Sequence, residues 1–217
     1  VRVVRPLVDP VYLNPPSKAE ARASLNLDPD GGVVVISGGG WGIGDLDGAT
    51  SAALELPVAN VICLSGRNEA AAKRLHEHYD HDPRVRVLGF TDRMPEILSA
   101  ADILVHSTCG VTYMEARCCD CPVVAYGSTA GHLRSNNHMM GAYGLVQVAD
   151  NTDELTVVLR RVLAGEFSQR PVTYAQNLPS AAELILSGEL PGRLPSRWRR
   201  LVARGNVSQR RRERTAA

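Results

Sequence analysis

A chain of 217 residues, 44% of them apolar, is long enough to bury one α/β core, and a formal charge of +1 gives the fold no general attraction for nucleic acid. No apolar run approaches the roughly 18 residues that a membrane-spanning helix needs, and no secretory leader is visible. Five cysteines, four of them crowded into positions 109–121, are not spaced as a secreted disulfide framework, so a reducing, cytoplasmic setting is expected.

The opening run through Pro16 is extended and punctuated by proline. A β-branched stretch predicts a strand over Val33–Ser37, then the loop Gly38-Gly39-Gly40-Trp41-Gly42-Ile43-Gly44 and a helix over Leu46–Leu56. Glycines between a strand and a helix let the backbone turn tightly and bring its N–H groups close to an anion. Their spacing is not the dinucleotide fingerprint. The second strand, Asn60–Ser65, runs into Gly66-Arg67 with no carboxylate for a ribose, which argues against a nicotinamide cofactor. Arg67 offers a fork that matches phosphate, with a surface ion pair as the plain alternative. A helix over Glu69–Tyr79, a strand over Arg84–Leu88 and a helix over Met94–Ala100 come next. After them the patterns predict strand Ile103–His106, helix Val111–Cys118, strand Val123–Tyr126, helix Asn136–Tyr143, strand Leu145–Val148 and helices Thr152–Leu163 and Ser180–Leu186. Strands and helices in alternation require crossover connections, hence an α/β fold with a doubly wound, Rossmann-like parallel sheet. From Arg193 to the end, nine Arg against one Glu give a local charge of +8 and leave −7 for the rest. The expected organisation is an entry segment over 1–16, a nucleotide-binding domain over 17–190 and a flexible basic tail over 191–217 that could touch an anionic membrane surface.

Gly89 to Glu115 carries the chemistry. It reads as a tight turn, a short amphipathic helix, a buried strand and a small-residue turn that opens another helix. A helix N-terminus presents free N–H groups and suits a phosphate. Glu115, one turn in, can accept from the vicinal hydroxyls of a sugar. Thr112 at the helix start can cap it and face the phosphate. Three other patterns have plainer explanations. Asp45-Leu46-Asp47 falls at a helix start, where aspartate caps. His76, His78 and His81 with Asp80 and Asp82 fall at a solvated helix end, and Cys118-x-x-Cys121 has no second pair, so no metal site is expected.

Gly89-Phe90-Thr91-x-x-Met94-Pro95, Ala101-Asp102 and Thr112-x-x-Glu115-Ala116 together resemble the donor-binding half of GT-B glycosyltransferases. Gly66-Arg67-Asn68, the glycine loop, Pro122-Val123-Val124 and Gly131-x-x-x-x-Asn136 extend the likeness over residues 1–187. The chain is most similar to glycosyltransferase family 28, which includes monogalactosyldiacylglycerol synthases and the N-acetylglucosaminyltransferase of lipid-linked peptidoglycan precursors. The resemblance implies a UDP-sugar as donor substrate, with no separate cofactor and no bound catalytic metal. It implies Glu115 on the ribose, Phe90, Thr91 and Met94 around the base, and Gly39, Gly40, Gly42, Arg67 and Thr112 near the diphosphate. Gly110, Gly131, His132 and Asn136 would serve the donor sugar or diphosphate. Relatives usually have Gly at Cys109 and often at Val111, so side chains there are expected to narrow the diphosphate path. His132-Leu133 replaces a Gln-Glu pair, so the identity of the sugar does not carry over. The resemblance further implies an N-terminal acceptor domain holding the general base, a lipid or lipid-linked acceptor, and peripheral attachment at the inner membrane face. With Val1 in place of Met and a linker-like entry, the chain is expected to be a donor half that transfers nothing alone. A UDP-N-acetylglucosamine 2-epimerase and a non-catalytic UDP-sugar-binding module are the alternatives.

Overall fold

The computed structural model describes residues 4–128, 131–167 and 178–187; the basic tail expected over 191–217 lies outside the described residues. Six strands, β1 (Val33–Ser37), β2 (Asn60–Gly66), β3 (Val85–Gly89), β4 (Ile103–His106), β5 (Val123–Ala125) and β6 (Gln147–Val148), form one parallel sheet in the order β3-β2-β1-β4-β5-β6. The expected doubly wound parallel sheet is the fold of the chain.

Among the described residues, seven α-helices belong to the larger unit: α1 (Lys18–Ser24), α2 (Leu46–Leu54), α3 (Glu69–Tyr79), α4 (Met94–Ala100), α5 (Val111–Cys118), α6 (Gly131–Ala142) and α7 (Thr152–Leu163). Successive side chains of β1 enter opposite cores, as in a strand covered on both faces. Val34 and Ile36 pack with Leu46, Ala53, Leu75, Leu155 and Leu159 from α2, α3 and α7. Val33 and Val35 pack with Ala21, Ile97, Leu98 and Ala116 from α1, α4 and α5.

Two helices differ from the sequence reading by more than two residues at an end. The first is α1, which the proline-punctuated entry concealed. Ser17 accepts from the Glu20 N–H, and the Glu20 carboxylate accepts from the Ser17 N–H, a reciprocal capping box. Asp102 then fixes the helix against the sheet. Its carboxylate accepts from Lys18 Nζ at 2.7 Å, Arg22 Nη2 at 2.8 Å and the Val33 N–H at 2.7 Å. The second is α6, which begins at Gly131 instead of Asn136. Among its described side chains only Asn137 is buried, so no apolar stripe marks its start.

A smaller unit combines residues 4–6 with 178–187 among the described residues. The Arg5 N–H donates to the Pro179 carbonyl, and Ser180 with Glu183 forms a second capping box at the start of α8 (Ala181–Leu186). No helix among the described residues is long and apolar enough to cross a membrane.

Candidate functional site

Strand order reverses between β1 and β4. Connections there diverge to opposite faces of the sheet and leave a crevice beyond the carboxyl ends of the strands, the place where doubly wound sheets bind ligands. A cavity of about 430 Å³ opens on this edge. The glycine loop forms its floor through Ser37, Gly39 and Gly40, and the turn after β3 contributes Phe90, Thr91 and Asp92. Met94 and Pro95 of α4 and Thr112 and Glu115 of α5 form the facing wall.

The loop's path depends on glycine at two points. Gly42 sits at φ +56°, where a Cβ would run into the Ser65 carbonyl. Gly66 sits at φ +59°, where a Cβ would run into the backbone of Gly39 and Gly40. Beneath the loop lies His106, only 2% exposed, whose Nδ1 donates to the Ser37 carbonyl at 2.7 Å. Burial lowers its pKa, and the neutral ring accepts at Nε2 from the Thr108 hydroxyl, 3.2 Å away. His106 is a support for the loop, with neither nitrogen left for acid–base work.

Glu115 is half-buried on the cavity wall. Burial raises its carboxyl pKa, a hydrogen bond from the Thr112 hydroxyl works in the opposite direction, and the charge of Asp9 raises it further. Thr112 therefore supports Glu115 and does not cap α5. Gly110 occupies the N-cap position with no side-chain cap, and the space where its Cβ would stand is open. The α5 N-terminus, whose Thr112 lines the cavity, thus carries no side-chain cap among the described residues.

The rim is aromatic and cationic. The Arg67 N–H donates to the Gly40 carbonyl at 2.9 Å, and its guanidinium stacks over Phe90, with Cζ 3.9 Å from the ring centroid. Cys109, expected to crowd the diphosphate path, is instead buried in the core below the cavity at φ +42°, and Val111 is exposed to solvent. Neither lines the cavity.

The structure thus brings Gly39, Gly40, Phe90, Thr91, Met94, Thr112 and Glu115 around one cavity. Arg67 stands at its rim, Gly42 holds the loop behind it, and Gly110 starts the adjacent helix. Gly131, His132 and Asn136 lie on the first turns of α6 and do not line it; the Asn136 amide donates to Met140 Sδ. Sequence reasoning missed Asp9 and Tyr12, which close the cavity from the entry segment. The Asp9-Pro10 pair, a cap followed by proline, marks a local turn but says nothing of its distant neighbour. The three plain readings also find partners. Asp45 accepts from the Gly48 N–H, His78 lies 2.9 Å from Asp47, His76 lies 2.7 Å from Asp80, and none of the five cysteines is in a disulfide among the described residues.

A family model described as Glycosyl transferases group 1 matches residues 51–164. The chain is 25% identical over 143 residues to the processive diacylglycerol beta-glucosyltransferase of Staphylococcus carnosus, covering 65% of this chain and 37% of that protein. It is 28% identical over 176 residues to the UDP-N-acetylglucosamine–N-acetylmuramyl-(pentapeptide) pyrophosphoryl-undecaprenol N-acetylglucosamine transferase of Salinibacter ruber, covering 76% and 48%. Among solved structures it is similar in fold to Anabaena Alr3699/HepE in complex with UDP-glucose, at a TM-score of 0.53 and 21% identity over 78% of this chain and 48% of that one. The chain therefore spans less than half the length of these proteins.

Proposed function

The chain belongs to the Glycosyl transferases group 1 family, and on that premise we propose that its crevice binds the UDP of a UDP-sugar, as the donor half of an enzyme that moves a hexosyl group to a lipid or lipid-linked acceptor. The observation that carries the reading is Glu115, a half-buried carboxylate on the cavity wall one turn inside an uncapped helix N-terminus. An ionised carboxylate only accepts and a ribose diol donates, so the pair are complementary. The α5 N–H groups and the backbone of Gly39 and Gly40 would then meet the diphosphate, whose negative charge grows as the glycosidic bond breaks. Phe90 and Met94 supply apolar surface beside a base, with Arg67 holding the Phe90 ring in place. In this reading the acceptor site and general base come from the N-terminal domain of the parent protein, and the parent works at the inner face of a membrane.

Titration calorimetry with UDP, in buffer containing a chelator, tests the reading. The wild-type chain should bind UDP. Glu115→Ala should lose about 1.5–3 kcal/mol, a tenfold or greater fall in affinity. Equal affinity in the two proteins would remove Glu115 from the ribose and the reading with it.

A further inference from the structure

One wall of the cavity beyond β1 and β4 comes from the segment that precedes α1. Asp9 caps a short turn of 3-10 helix over Pro10–Leu13 by accepting from the Val11 N–H at 3.0 Å, and Pro10 at its first position fixes the path of the chain as it leaves the cap. The turn buries Tyr12. Its side chain is 6% exposed and belongs to the same core as Ala21, Ile97, Cys109 and Ala116, yet Tyr12 also lines the cavity, as Asp9 does.

The Tyr12 hydroxyl makes no hydrogen bond among the described residues. It is also not one of the unpartnered buried side-chain atoms that solvent cannot reach, which among the described residues are Ser99 Oγ, Ser128 Oγ and Asn137 Oδ1. The hydroxyl is therefore open, and the space that its residue lines is the cavity. Burial first, then the charge of Glu115, with smaller effects from Cys119, Asp9 and Glu96, raise its pKa, so it keeps its proton and donates. Asp9 acts in turn on Glu115. Two carboxylates and a phenol thus share one part of the cavity. The Thr112 hydroxyl gives its hydrogen to Glu115 itself, which leaves Tyr12 as the donor beside that carboxylate.

We propose that Tyr12 is a specificity-determining residue of this cavity: its hydroxyl donates to the ribose hydroxyl whose hydrogen Glu115 accepts, and the pair select ribonucleotides over deoxyribonucleotides. The inference rests on the UDP reading and adds to it a second side chain on the ribose. A hydroxyl that donates to a carboxylate keeps lone pairs of its own, and on a wall partly closed to water a protein donor must serve them. A site built in this way rejects an analogue without the hydroxyl, because its own polar groups are then left unpaired.

Titration calorimetry of the 217-residue chain with UDP, 2′-deoxy-UDP and 3′-deoxy-UDP, in wild type and Tyr12→Phe, tests the proposal. Phenylalanine keeps the ring and removes a hydroxyl that has no protein partner to lose, so the urea midpoint should not move. Wild type should bind UDP at least about tenfold more tightly than one of the two deoxy analogues. Tyr12→Phe should lower the affinity for UDP about three- to tenfold and leave the affinity for that analogue unchanged. Wild-type affinity for UDP in Tyr12→Phe, or equal affinity of the wild type for all three nucleotides, would overturn the proposal. An equal loss for all three in Tyr12→Phe, whether or not the urea midpoint falls, would assign Tyr12 to packing and overturn it as well. Each of those outcomes leaves UDP in the cavity, whereas a wild-type chain that binds none of the three defeats the UDP reading and the proposal with it.

Discussion

Replacing Asp102 by alanine should destabilise the protein severely while leaving the cavity beyond β1 and β4 intact. Asp102 accepts from the Val33 N–H at the start of β1, from Lys18 and from Arg22, whose side chain is only 7% exposed. Removing the carboxylate leaves a buried guanidinium without its counter-charge, a loss of about 3–5 kcal/mol in comparable pairs. Arg22 keeps two carbonyl acceptors, Ala100 O and Pro29 O, and Asp102 itself is 25% exposed, so the low end applies. About 3 kcal/mol corresponds to a fall of about 6–12 °C in Tm for a domain of this size. Urea unfolding followed by circular dichroism gives the free energy, and Arg22→Met in the Asp102→Ala background should recover part of it by removing the stranded charge. A loss below about 1 kcal/mol would refute the buried-pair reasoning, since that is the range of exposed ion pairs. Loss of UDP binding without loss of stability would place Asp102 in the site instead.

On the proposed reading, the raised pKa of Glu115 should make UDP binding pH-dependent. A carboxyl whose pKa is raised in the folded state contributes stability that is fully present below its unfolded value and lost as pH rises through the folded one, so ionised Glu115 weighs against the fold at neutral pH. The ribose diol favours the ionised form, so in the window just above the ordinary 4.5 affinity should rise with pH and binding should release a proton. Binding heats in two buffers of different ionisation enthalpy measure that release; identical heats, or the same release from Glu115→Gln, would count against the assignment. Gly42→Ala should cost about 1–3 kcal/mol, because φ +56° and the Ser65 carbonyl leave no room for a Cβ; an unchanged urea midpoint would show that the loop tolerates it. The chain spans less than half of its relatives, so alone it should bind UDP without transferring sugar; turnover of UDP-glucose at about 1–1000 per second would show that no second domain is needed.

Much of the fold was legible because burial and capping act locally. Val33–Ser37 and Ile103–His106 are β-branched or apolar runs buried on both faces, and their bounds in the structure are those of the sequence pattern. Helices α3 and α7 begin where Asn68 and Asn151 cap them. Helix α1 was not legible, although Ser17 and Glu20 spell a capping box, because its anchor is Asp102, 84 positions from Lys18. Glu115 could be singled out because a small-residue turn after a buried strand announces a helix start. Asp9 and Tyr12 reach the same cavity through a tertiary contact of a segment with no periodicity, and nothing local records it. For Asn137 the obstacle was the phase of α6. A start at Gly131 decides which of two adjacent asparagines faces inward, and the one singled out from the sequence, Asn136, bonds to Met140 while its neighbour is buried.

What separates a structural polar residue from a functional one here is the capacity that the fold leaves unused. Asp102 accepts from a lysine, an arginine and a backbone N–H. Asp45 gives one oxygen to the Gly48 N–H and the other to the Tyr126 hydroxyl, and His106 engages both ring nitrogens. Each has a hydrogen bond on every polar side-chain atom, and those bonds hold the sheet and its loops in shape. Glu115 takes a hydrogen bond from Thr112 alone among the described residues, yet burial and a neighbouring carboxylate make its charge costly. A group in that position is tolerated when a ligand brings the missing donors, and the helix end beside it, uncapped by any side chain, has the complementary need for an acceptor. A molecule that carries a diol at one end and a diphosphate a few ångströms away answers both needs at once. The distance between Glu115 and the first turn of α5 is set by helix geometry, about 5.4 Å per turn, so on the proposed reading a ligand is selected by its spacing as well as by its charge.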